Sequence, residues 1–102
     1  MNFTDEQFDR AFAEFQEFGP RRRIRVEERW QEGFPEVPIE ELSALRARCE
    51  EIESFAVGLA CQVRDEQMSD DAARRRLAEK YPSLTSIRLD RTWSQAMYFS
   101  MK

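Results

Sequence analysis

Seven residues in the middle of the chain, Leu42, Leu45, Cys49, Ile52, Ala56, Leu59 and Val63, follow one another at steps of 3, 4, 3, 4, 3 and 4. A helical period gathers all of them onto one stripe, whereas the two-residue period of a strand would scatter them over both faces. The element opens at Pro38, which suits a first helical turn. Glu40 and Glu41 follow, where the positive end of the helix dipole favours acids. The spacing predicts one helix over about 38–66, roughly 43 Å long.

Inside that helix lies a second constraint. Charged residues make up 35% of the chain, yet none occurs from Ser54 to Val63. Phe55, Val57, Ala60 and Cys61 add apolar surface away from the stripe, and a helix apolar all round is buried all round. Ala56, Gly58 and Ala60 would let another backbone come close. The other helices of a 102-residue chain do not suffice to cover every side, so a homodimer is expected. Its seam, shared with the core, comprises Leu42, Leu45, Cys49, Ile52, Phe55, Ala56, Leu59 and Val63. At about 15 Å the uncharged stretch is far too short for a bilayer core of about 30 Å, so no membrane partner is expected.

The remaining elements also read as helices. Thr4 and Gln7 form a capping box, with Phe3 and Phe8 placed as a hydrophobic staple. Phe8, Ala11, Phe12, Phe15 and Phe18 then make one apolar stripe that Gly19 and Pro20 end. Residues 21–32 mix strand-like alternation with a helical Val26–Trp30 pair, and are expected as a short helix with strand as the alternative. Ser69 caps a helix opening on Asp70 and Asp71, and Pro82 stops it. Ser83 or Thr85 caps a last helix. The expected fold is all-α, a compact bundle of four to five helices forming a single domain over 1–102, with the long helix central.

Composition narrows the chemistry. The chain has no histidine, which removes the commonest general base, His-based triads and most catalytic zinc sites. Its three glycines are isolated, so no phosphate-cradling loop exists. Cys49 and Cys61 on one helix lie about 18 Å apart, beyond disulfide reach of about 7 Å, and read as small buried hydrophobes in a reducing compartment. No catalytic residue, cofactor or metal is expected, and the chain is not read as an enzyme. The first ten residues lack a basic segment followed by an apolar run, so no secretory signal is expected and the location is read as cytoplasmic.

Charge is distributed in blocks. Residues 36–68 carry eight acids and three bases, while residues 69–102 carry seven bases and four acids. The expected function is a protein-binding helical module that occupies a partner's surface, as an inhibitor, an immunity-type antagonist or an adaptor. Acidic faces suit a basic partner, such as a protein that acts on nucleic acid, and Glu40, Glu41, Glu50, Glu51 and Glu53 are the candidate contacts. The alternative is a DNA-binding regulator built on a helix-turn-helix-like pair at about 70–100, using Arg74, Arg75, Arg88, Arg91 and Gln95. A net charge of −4 and a turn without glycine weigh against nucleic acid as the partner. The second basic cluster, residues 20–25, is read as a solvated helix start.

Overall fold

The computed structural model describes residues 3–17 and 26–101, and every regular element among them is helical. Five helices follow in order: α1 Asp5–Glu17, α2 Val26–Gly33, α3 Ile39–Arg64, α4 Asp70–Lys80 and α5 Ser86–Ser100. The all-α expectation and the single long helix are both realised. The cluster at 20–25, the first residues of the 21–32 helix, and the Phe18, Gly19 and Pro20 helix end all lie outside the described residues.

The chain divides into two units, Met1–Glu50 and Glu51–Lys102. The first has an aromatic core. Thr4 and Gln7 exchange two hydrogen bonds of 3.0 Å as a capping box, which fixes where α1 begins. Phe3, expected to staple onto Phe8, meets the Phe34 ring edge-on at 5.7 Å. Phe8, Ala11, Phe12 and Phe15 are buried, and Phe15 stacks on Trp30 with ring centroids 6.3 Å apart. The Trp30 indole N–H donates to the Ala11 carbonyl at 3.1 Å, so the largest buried side chain of α2 hides no unmet donor. Arg46 on α3 ties α2 to α3: its guanidinium donates to Glu27 at 2.8 Å and to Glu50 at 2.9 Å. The Glu27 bond, foremost, and the Glu50 bond raise the Arg46 pKa above its already high ordinary value. A raised cationic pKa keeps the Arg46 guanidinium charged at all ordinary pH, so the arginine's side of this cross-link is lost only in strong alkali.

The second unit packs differently. Its buried cluster is Ala56, Leu59, Ala60, Ala73, Leu77, Trp93 and Ala96, drawn from α3, α4 and α5. Alanine at four of the seven positions lets the helix backbones approach closely around one large ring. Ser69 caps α4 by accepting from the Ala72 N–H, and Thr85 caps α5 by accepting from the Arg88 N–H, both at 3.1 Å. The Trp93 indole N–H donates to the Asp70 carboxylate at 2.9 Å, locking α5 to the start of α4. Arg74 and Asp90 add an ion pair between the same two helices.

α3 begins one residue later than expected. Pro38 stands before its first turn, and the Pro38 carbonyl accepts from the Glu41 and Leu42 N–H groups. Its seam is buried from Leu42 through Leu45, Cys49, Ile52 and Ala56 to Leu59, while Val63 is half-buried at the end. The helix stops in a Schellman motif: the Gln67 N–H bonds the Gln62 carbonyl at 2.9 Å and the Glu66 N–H bonds the Val63 carbonyl at 3.1 Å. The motif requires a left-handed residue, and Glu66 supplies it with φ of 60°. A side chain there crowds the following carbonyl, at a cost of roughly 1–2 kcal/mol that glycine avoids. Glu66→Gly is therefore expected to raise stability by about 1 kcal/mol, measured as a higher urea midpoint at unchanged slope.

Candidate functional site

The uncharged stretch of α3 is not enclosed by its own chain. Ala56, Leu59 and Ala60 are buried, Phe55 and Val57 are half-buried, and Gly58 and Cys61 are exposed. Cys61 thus corrects the expectation that both cysteines are buried: Cys49 is, and Cys61 faces solvent. The reason is angular. Two residues beyond Leu59, Cys61 is turned by about 200°, away from the side that α4 and α5 cover. Phe55 packs against the buried cluster on one side and is flanked by Tyr81 edge-on at 5.8 Å and by the Lys80 ammonium 4.5 Å over the ring.

Beside this exposed edge, α3 and α4 form the walls of an open groove of about 640 Å³. Phe55, Gly58 and Leu59 make its apolar floor, with Ser54 and Gln62 at the α3 rim. Arg76, Glu79 and Lys80 form the α4 rim, two cations to one anion. Gly58 is the open point: a Cβ built on it would meet nothing within 4 Å. Its lack of a side chain therefore serves no packing among the described residues. Glycine inside a helix costs about 1 kcal/mol relative to alanine. The local pattern follows from the sequence, since Phe55, Leu59 and Gln62 recur at helical spacing while Gly58 interrupts the rim between them.

The sequence-derived candidates do not converge on one spot. Glu40 and Glu51 are exposed, and Glu41 is half-buried. Glu50 is held by Arg46. Glu53 is half-buried and shares a tight crevice with Val57, Thr92, Gln95 and Phe99, so this glutamate and the DNA-reading candidate Gln95 line the same inner wall. Successive residues turn by about 100°, which sends Glu50 and Glu51 in different directions. Of the candidate DNA contacts, Arg74 is engaged by Asp90, Arg88 is half-buried, and Arg75 and Arg91 are exposed. No group of three or more acidic or cysteine side chains among the described residues could hold a metal ion. No described helix is long and apolar enough to cross a membrane. The groove escaped sequence reasoning; its one signal was a lone glycine inside an otherwise strong helical pattern.

No family model, curated protein or solved structure matches this chain.

Two outcomes follow from the geometry. Gly58→Ala should stabilise the chain by about 1 kcal/mol in thermal or urea unfolding, because the added methyl meets no atom and gains helix propensity. With a maleimide under native conditions, mass spectrometry should find Cys61 modified and Cys49 protected, the second adduct forming only once the chain is unfolded.

Proposed function

We infer that the chain is a protein-binding helical module whose docking surface is the groove between α3 and α4. Its role is to occupy a partner's surface, as an inhibitor, antagonist or adaptor. The observation that carries this reading is Gly58, a destabilising residue in the middle of a long helix, at a point where no described residue fills the space. The floor is apolar and its α3 wall runs from Ser54 to Gln62, about 12 Å, enough for two turns of a docked helix. The occupant is an amphipathic helix with acidic flanks. Its apolar anchors fill the space above Gly58, and its carboxylates face Arg76 and Lys80.

This places the contact on a basic rim rather than on Glu40, Glu41, Glu50, Glu51 and Glu53. Glu50 is already committed to Arg46, and a binding surface gains from charges that converge. The DNA-binding alternative has less to support it, because Asp90 sits beside Arg74 where a phosphate would need to approach.

The test is an NMR titration of the full chain with two helical peptides of about four turns, identical in their leucine stripe, one flanked by glutamates and one by lysines. The acidic peptide should bind about tenfold more tightly and move the Gly58 amide signal, and Gly58→Trp should abolish the effect. Equal binding of the two peptides, binding indifferent to Gly58→Trp, or no binding of either sinks the proposal.

A further inference from the structure

The outer face of α5 has a composition that solvation does not explain. Ile87, Arg91, Ser94, Tyr98 and Met101 recur at steps of 4, 3, 4 and 3, and all five are exposed. They lie on the side opposite the buried Thr92 and Ala96. Four large hydrophobic residues are exposed among the described residues: Ile39 at 47%, Ile87 at 73%, Tyr98 at 57% and Met101 at 67%. Three of the four stand on this one stripe. Scattered exposed hydrophobics need no account, but their alignment at heptad spacing does.

Read in reverse, the stripe sets apolar Ile87 against apolar Met101, Arg91 against Tyr98, and Ser94 against itself. Ile87 precedes Ser94 by seven residues and Met101 follows it by seven. Arg91 and Tyr98 stand three before and four after, a mismatch of about 1.5 Å that a long arginine absorbs. A stripe complementary to its own reversal is what a two-fold interface requires, since there each contact occurs twice. A foreign partner imposes no such complementarity between the two halves of one stripe. We propose that this face of α5 binds a second copy of the chain, with the two α5 helices antiparallel about an axis at Ser94.

In that pairing Ile87 packs on Met101 of the second copy, and the reverse contact repeats it. The Arg91 guanidinium lies over the partner's Tyr98 ring, a cation–π contact that also steers against a parallel arrangement. Ser94, small and at the axis, lets the helices come together. Asp90 flanks the stripe, and its carboxylate is engaged by Arg74 of the same chain. Met101 remains in register because its N–H bonds back to the Tyr98 carbonyl at 3.1 Å. A single helix pair is a small interface, so the dimer forms and dissociates readily with concentration. The groove between α3 and α4 takes no part, and neither proposal rests on the other.

The experiment uses the full chain with Cys61→Ser, which removes the exposed thiol. Sedimentation velocity from about 1 μM to about 1 mM should show a monomer–dimer equilibrium. Ile87→Glu and Ser94→Arg should each weaken it at least tenfold with helical circular dichroism unchanged, both positions being exposed. In the same background Ser94→Cys should form an intermolecular disulfide under mild oxidation, because packed helices bring the axial Cα atoms within about 7 Å. A control cysteine at Arg75, exposed on α4, should not. A chain monomeric at the highest concentration, a dimer indifferent to both α5 variants, or Ser94→Cys cross-linking no faster than the Arg75 control overturns the proposal.

Discussion

Both cores are built against one buried stripe on α3. Leu42, Leu45 and Cys49 serve the first unit, while Ala56 and Leu59 serve the second. In the first unit α1 and α2 bring phenylalanines and a tryptophan to this stripe, while in the second α4 brings little beyond Ala73 and Leu77. The regular spacing of the stripe therefore decides more than one helix. It sets which side each neighbouring helix must occupy, and so leaves Gly58 and Cys61 on the side that remains open.

The two units solve the packing problem by opposite means. In the first, rings fill space: Phe8, Phe12, Phe15 and Trp30 form a continuous run with centroid separations of 5.7, 6.2 and 6.3 Å. In the second, alanines remove bulk so that backbones close around Trp93. The first kind of core is sensitive to truncation, which leaves large cavities; the second is sensitive to enlargement, which forces helices apart. In each unit the tryptophan N–H finds an oxygen, the Ala11 carbonyl in one and the Asp70 carboxylate in the other. Burial of the ring and satisfaction of its polar edge thus go together.

What could be read from the sequence was what depends on near neighbours along the chain. The Thr4–Gln7 capping box, the Ser69 and Thr85 caps, the Phe8 to Phe15 stripe and the seam of α3 are all relations within four residues, and each is present. What could not be read depends on which helix covers which side. Cys61 lies in a stretch as apolar as any in the chain and is exposed, because no described helix covers its side. Glu66 adopts a left-handed backbone that the residue type argues against, imposed by closure of the α3 end. The groove needs α4 placed beside Gly58, a long-range fact. The candidate glutamates have only their sign of charge in common, and charge does not disclose that Arg46 already claims Glu50.

The chain's two tryptophans fall one to each unit, Trp30 in the first and Trp93 in the second. Each indole sits in a different electrostatic setting, one against a backbone amide oxygen and one against a carboxylate. Nature has in effect fitted each half with its own fluorescent gauge. Replacing either ring in turn separates the two emissions, so the unfolding of each unit becomes an optical quantity of its own.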